Sequence, residues 1–386
     1  MLTHEENERL TRVGSGTPGG ELLRRYWQAV CPTAELTGGV RKKRIRILGE
    51  DLVVFRADDG SFKCVSERCE HRSASLFFGF IEPDGIRCCY HGWKYDCDTG
   101  QCTERPFEPT PPHAGIRVNA YPVEAYGGLL FVYMGPDRNA APLLPHWDVL
   151  AQSERPKKIR VMPVHHCNWL QIQENTVDSV HTYYLHGHAL KLAGIDLPGR
   201  DYFYRPIVGY DWRVSEWGIE KTLDYGGDQP EHEIRPPLLF PNILRIDEGP
   251  IEAIHFRVPI DDEHTRIIWM GAFPPGAGAV TAPDAVPFTY EFDKPNTTVE
   301  DVDQGDFYGQ DRVVWETQGT ITDRSIEKLG ATDRGIVLFR RMLADQIDRV
   351  ERGEAPTVAV VRSPEDNVYI TFPSSRNSEP AGARAS

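Results

Sequence analysis

Hydrophobic positions change period along the chain. From Arg44 onward they alternate or gather in short runs: Ile45 and Ile47, Leu52-Val53-Val54-Phe55, then Phe62 to Val65 after a turn at Asp58-Asp59-Gly60. Runs of this length bounded by turn residues predict antiparallel strands. The pattern continues through Gly115–Val118, Tyr121–Glu124 and Gly128–Tyr133, so residues 41–150 read as one β domain. Ahead of it, Thr17 can cap and Pro18 can start a helix that carries Leu22, Leu23, Tyr26 and Trp27 to a core before Pro32 ends it. Residues 1–40 are therefore expected to be a helical segment packed on the larger domain. Gly135-Pro136-Asp137 and Ala141–Pro145 read as a linker.

Beyond the linker, residues 151–373 alternate apolar and polar positions over 202–210, 212–217, 219–223, 238–240, 243–246, 251–258 and 265–272, which predicts one large antiparallel sheet. A polar Pro/Gly-rich loop follows from Pro274 to about Asp303. Ile336, Leu338, Phe339, Met342, Leu343, Ile347 and Val350 then fall at helical spacing, and Gly353 stops that helix. Residues 374–386 are expected to form a mobile tail. The fold class is α+β.

Composition narrows the function. With 40% hydrophobic residues the chain can build packed cores. No apolar run approaches the roughly 18 residues of a membrane span, and the acidic N-terminus does not resemble a leader, so a cytoplasmic location is expected. A formal charge of −14 argues against nucleic acid or an anionic membrane as partner. Arg41-Lys42-Lys43-Arg44, with Arg46, reads as a solvated strand edge, the alternative being a dock for an acidic electron carrier. Gly14-x-Gly16 lacks the preceding strand of a dinucleotide turn, so redox equivalents must come from another protein.

Candidate chemistry lies in two places. Between Glu174 and His186, a carboxylate and two imidazoles (Asp178, His181, His186) lie among apolar residues, a donor set that suits a divalent iron. Asp178 and His181 share a helical face, but on a regular helix His186 would point about 140° away from His181. Both can meet one metal only if the helix is distorted between them, as in a π-type turn. Histidines on a partly apolar helix are more often core or surface residues than ligands, so this stretch does not decide the matter alone. Upstream stand Cys69-Glu70-His71-Arg72 and Cys88-Cys89-Tyr90-His91-Gly92-Trp93, with 16 residues between His71 and Cys88. Zinc accepts two Cys and two His, but its usual signature opens with paired C-x2-C. The other cysteines, Cys31, Cys64, Cys97, Cys102 and Cys167, read as small buried residues.

The double loop resembles the Rieske iron–sulfur signature, and with the N-x2-D-x2-H-x4-H run it resembles the catalytic α-subunit of Rieske non-haem iron oxygenases. Leu2–Trp27 and Gln310–Gly319 with Ile321–Arg324 are similar to the phthalate dioxygenase and aryl O-demethylase branch. The resemblance implies a Rieske domain beside a helix-grip catalytic domain. Cys69 and Cys88 would hold one iron of a 2Fe-2S cluster and His71 and His91 the other; Cys89 is a competing reading for Cys88. A mononuclear non-haem Fe(II) would be held by His181, His186 and a carboxylate, for which Asp311 fits the pattern and Asp303, Asp306 and Glu316 compete. Asp178 would link His181 to His91 of a neighbouring subunit, implying a homotrimer or a dimer of trimers, and Asn175 would stand near the iron. The implied function is oxygenation of an aromatic acid, by ring hydroxylation or O-demethylation, with O2 and a separate ferredoxin or flavin reductase. A pure Rieske electron carrier or redox sensor is the alternative. For the substrate pocket the expected lining is Val177, Tyr183, Leu239, Phe240, Ile254, Phe256 and Phe307, with Arg245 foremost among Arg205, Arg235, Arg245 and Arg257 as a carboxylate anchor.

Overall fold

The computed structural model describes residues 2–138, 141–178, 180–192, 194, 201–226, 232–292, 307–367 and 370. Helix α1 (His4–Thr11) is opened by a capping box between Thr3 and Glu6, and α2 (Pro18–Leu23) by the Thr17 side chain with Pro18 in the first turn. The expected helix stops there. Gln28–Pro32 is a strand, every residue of it buried, paired antiparallel with Leu129–Val132. A strand buried on both faces reads as a continuous apolar run without period, which is why Trp27 to Pro32 looked like a helix end. The first 40 residues thus contribute both helices and a strand of the β region.

Two four-stranded sheets make the body of the N-terminal β region. One contains Lys42–Ile47, Glu50–Arg56, Phe62–Ser66 and Ala120–Tyr121; the other contains Phe80–Glu82, Gly85–Arg87, Lys94–Tyr95 and Cys102–Glu104. They share a core of their own around Val53, Phe55, Val65, Leu76, Tyr95 and Val118. The basic run lies on the edge strand Lys42–Ile47, and its cations are engaged: Arg41 with Asp58, Lys43 with Glu35, Arg44 with Glu67, Arg46 with Asp51, and Lys42 on the Gly79 carbonyl.

The larger region is one eight-stranded sheet. Its strands in chain order are β1 (Lys157–His165), β2 (Gly209–Val214), β3 (Gly218–Asp224), β4 (His232–Leu239), β5 (Ile243–Glu248), β6 (Ile251–Pro259), β7 (Thr265–Ala272) and β8 (Phe288–Tyr290), arranged β2-β3-β4-β5-β6-β7-β1-β8. All pairs are antiparallel except β1 with β8. The expected strand over 202–210 is displaced, because Asp201–Tyr204 is a 3-10 turn and β2 begins only at Gly209. Helices α3 (Trp169–Asn175), α4 (Phe307–Thr317) and α5 (Arg334–Glu351) accompany the sheet. No helix among the described residues is long and apolar enough to cross a membrane.

Glu174 ties these helices together. It is buried on α3, and its carboxylate accepts from Arg324 Nη2 at 2.8 Å and from Arg340 Nε of α5 at 2.6 Å, while Arg324 Nη1 also donates to Asn7 of α1. Burial alone would raise the Glu174 carboxyl, but the two guanidiniums outweigh it and hold it below the usual range. Glu174→Ala leaves buried Arg324 without a carboxylate, while Arg340 keeps Glu327, and is expected to cost about 3 kcal/mol in urea unfolding. A loss under ~1 kcal/mol would show that the network carries no stability.

Candidate active site

The two cysteine–histidine loops are built alike. In the first, Ser73 N–H donates to the Cys69 carbonyl at 2.8 Å and Ser73 has φ 58°; in the second, Gly92 N–H donates to the Cys88 carbonyl at 3.0 Å and Gly92 has φ 74°. Each loop therefore curls back on its cysteine and presents the histidine beside it. Cys69 and Cys88 are buried while Cys89 is exposed, which favours Cys88 as the inward thiol. Tyr95 OH lies 3.1 Å from Cys69 Sγ and accepts the Glu70 N–H at 3.1 Å. The His71 and His91 ring centroids are 4.5 Å apart, and His71 stacks on Trp93. His71 Nδ1 is buried without a hydrogen-bond partner, which fits a nitrogen meant for a metal.

The second site forms where the helix after α3 departs from α geometry. Thr182–His188 is a π-helix, so the distortion demanded by the five-residue spacing is present. A side chain at Gly187 would meet the Phe203 carbonyl oxygen at 1.8 Å, so only glycine lets the two backbones approach. His181 Nε2 and His186 Nε2 then lie 3.8 and 3.5 Å from the same atom, Asp311 Oδ1 of α4. Donor atoms of these three residues all lie within 4.8 Å of one another, room for one ion among them. The far side of each ring faces an oxygen, hydrogen-bonded at His186 and within ion-pair range but without hydrogen-bond geometry at His181. His186 Nδ1 is 2.9 Å from Gln310 Oε1, and His181 Nδ1 is 3.2 Å from Asp178 Oδ2. Carboxylate or amide oxygens behind imidazoles fix ring orientation and leave the other nitrogen for a metal. Asn175 Nδ2 lies 3.4 Å from Asp311 Oδ1, so the amide reaches the carboxylate.

The electrostatics keep both acids ionised. Burial would raise the Asp178 carboxyl, but His181, the Val180 N–H and Lys221 outweigh it and bring it to about 2. Asp311 is likewise lowered despite burial, with His186, His181 and Arg257 opposing the desolvation. Among the competing acids, Glu316 is occupied by Arg312, by the His166 N–H and by nearby His165; Asp303 and Asp306 lie outside the described residues.

The expected pocket lining divides. Phe307 stacks on Phe203 and meets the His186 ring in a T-shaped contact with centroids 5.2 Å apart; Val177 is buried and its carbonyl accepts from Trp212 Nε1 at 2.9 Å; Tyr183 is half-buried on the π-helix. These three belong to the site region. Leu239, Phe240, Ile254, Phe256 and Arg245 do not. Arg257 of β6 donates to the Ile172 carbonyl and Thr176 hydroxyl of α3, so the odd positions of β6 face the helices. Phe256 faces the other way, onto Phe131 at 5.3 Å, and Ile254 shares its face. Through register Arg245 pairs with Ile254, and Leu239 follows Ile243, which pairs with Phe256, onto that same face. Phe240 packs on Tyr26 and Phe339. Arg245 is 1% exposed and spent on Asp148, Asp247 and Glu252. Of the other arginines, Arg257 serves α3, Arg205 lies over the Tyr225 ring at 5.1 Å, and the Arg235 side chain is outside the described residues. Facing the helices instead are Leu238, Leu244, Ile246, Ala253 and His255. The missed second-layer residue Gln310 had a visible signal, since it adjoins Asp311 in sequence.

Residues 26–122 match the model of the Rieske [2Fe-2S] domain, and 301–370 match the LigXa C-terminal domain like family. The oxygenase subunit of 5,5'-dehydrodivanillate O-demethylase from Sphingobium sp. is 36% identical over 97% of this chain and 87% of its own length. The chain is a Rieske non-haem iron oxygenase. Within that family, the phthalate 4,5-dioxygenase oxygenase subunit of Pseudomonas putida is 31% identical over 92% of this chain and 88% of its own. The terminal oxygenase of carbazole 1,9a-dioxygenase from Nocardioides aromaticivorans shares the fold, with a TM-score of 0.61 at 19% identity over 89% of this chain and 96% of that one. As a Rieske oxygenase the chain uses a 2Fe-2S cluster and a mononuclear non-haem iron. The pure electron-carrier reading falls, because the likeness to oxygenase subunits extends through the second domain.

Proposed function

We propose that His181, His186 and Asp311 hold the mononuclear iron, that Cys69, His71, Cys88 and His91 hold the cluster, and that the enzyme O-demethylates a methoxylated aromatic acid. The convergence of two imidazole Nε2 atoms on one carboxylate oxygen, with each Nδ1 facing an oxygen on the far side of its ring, carries the metal-site reading. When bound, the cluster stores an electron and the iron activates O2. The chain's own residues supply the rest. Gln310 and Asp178 hold the two rings, Asn175 steadies Asp311, and Phe203 and Phe307 wall His186 with apolar surface that excludes water.

Asp178 carries the electronic link. Its carboxylate lies against His181 yet is 29% exposed, and the His71 and His91 rings are half-buried, so each site has an edge a neighbouring copy could cover. A closed trimer, or a dimer of trimers, in which His91 of one copy meets Asp178 of the next follows as the working assembly. A separate reductase or ferredoxin supplies electrons, and the enzyme works in the cytoplasm. Demethylation is favoured over ring dihydroxylation by the higher identity to the dehydrodivanillate O-demethylase subunit, 36%, than to the phthalate dioxygenase subunit, 31%. The test is product analysis with methoxybenzoates, benzoates and phthalates under a surrogate reductase. Formaldehyde with the matching phenol is expected; a cis-dihydrodiol, or no product from any methoxyarene, would overturn the choice.

A further inference from the structure

On the sheet face that looks toward the helices, a histidine among the described residues keeps one ring nitrogen without a hydrogen-bond partner. His255 of β6 is 8% exposed and shares its face with Arg257, two residues and about 7 Å along the strand. Arg257 is pressed against α3, and its guanidinium lies 5.5 Å from the Trp315 ring of α4, the helix that bears Asp311. His255 is therefore the next position out from the iron-binding end of the sheet. Its cross-strand neighbours are Leu244 and Trp269, and Ile246 follows on the same face. Leu244 and Ile246 stay half-buried in mid-strand, so this part of the face is not sealed by the described helices.

The ring is held by a fixed acceptor. Glu248 Oε1 accepts the Trp269 indole N–H at 2.9 Å and lies 3.1 Å from His255 Nε2. With Glu248 ionised, its oxygen can only accept, so the His255 nitrogen that faces it carries the proton. Burial disfavours the imidazolium and keeps His255 below its usual range, while burial of Glu248 is outweighed by its partners and leaves that acid lowered. The neutral ring then carries its free lone pair on Nδ1, which has no hydrogen-bond partner among the described residues. Among the described residues, the two nearby cations are directed elsewhere. Arg257 is spent on α3, and Arg160 lies over the Trp269 ring and pairs with Glu291.

We propose that His255 determines specificity by accepting a hydrogen bond at Nδ1 from a hydroxyl group of the aromatic substrate, so that the site takes a phenol at this position and rejects a carboxylate or an ether. The inference rests on the aromatic-substrate reading above and adds which ring substituent is recognised. A buried acceptor that finds no donor loses affinity steeply, whereas a hydroxyl satisfies it. The carboxylate of Glu248 works in the same direction by repelling a second anion.

The test is equilibrium binding to the iron-loaded enzyme by anaerobic calorimetry, using 4-hydroxy-3-methoxybenzoate against 3,4-dimethoxybenzoate, a pair that differs in one hydroxyl. Wild type is expected to bind the phenol at least tenfold more tightly. His255→Phe should abolish that preference, and His255→Gln, which keeps an acceptor, should retain part of it with unchanged iron content. Equal binding of the pair, no binding of either, or a preference that survives in His255→Phe overturns the proposal. Should His255→Phe not fold, the wild-type ratio and His255→Gln still decide. A kept preference without formaldehyde release would sink demethylation and leave this inference standing.

Discussion

Asp178→Asn is expected to lower turnover by ~100-fold or more while both iron sites stay loaded. Asparagine keeps the size of the side chain but presents an amide, and Asp178 contacts His181 without being one of the three converging donors. Iron content and the visible spectrum of the oxidised and reduced cluster should match wild type. What changes is the acceptor behind His181 Nδ1, at present a carboxylate brought to about 2 and hence ionised at every working pH. The deficit should therefore be independent of pH between 6 and 9, roughly the range over which an ordinary carboxylate stays ionised. Single-turnover experiments with pre-reduced enzyme check it: if the variant gives the wild-type yield at the wild-type rate, Asp178 has no part in coupling the sites.

The second large effect is on metal retention. Asp311→Ala removes the one oxygen on which both histidines converge, and the variant should fall from about three irons per chain to about two, the cluster's own pair. Activity should drop below detection while cluster absorbance persists. Asp311 is also held by Asn175 and lies near Arg257, so a purely structural role would appear as loss of the fold. Circular dichroism and the melting temperature separate the two outcomes. Three irons retained in a folded Asp311→Ala variant would return the third ligand to the acids of 303–306.

Much of the site was legible beforehand because its signals are local. Cys69–His71 and Cys88–His91 each sit within one tight loop, and short spacing with turn residues reports a metal-binding loop without any knowledge of the rest of the chain. The π-helix was legible for the same reason. His181 and His186 lie five apart, and no regular α-helix brings that pair to one point. Asp311 was harder. It comes from a different helix 125 positions beyond His186 in the chain, and only the family pattern singled it out among its acidic neighbours.

By itself, then, the sequence determined the two domains' character, the cluster loops, the histidine pair and the helical distortion between them, because each depends on residues close together along the chain. The tertiary structure decided which face of the large sheet looks toward α3 and α4. Alternation in β6 marks Ile254 and Phe256 as one set and Ala253, His255 and Arg257 as the other, but period two is blind to sign, and a shift of one residue exchanges the faces. Apolar Phe256 looked like pocket wall and Arg257 like a candidate carboxylate anchor. Packing reversed both, because the helix-facing side had to leave room for a polar site while the opposite side had to fill a dry core against Phe131 and Trp147. Burial energy favours the larger apolar residues in that core, and so Phe256 lies behind the sheet and His255 in front.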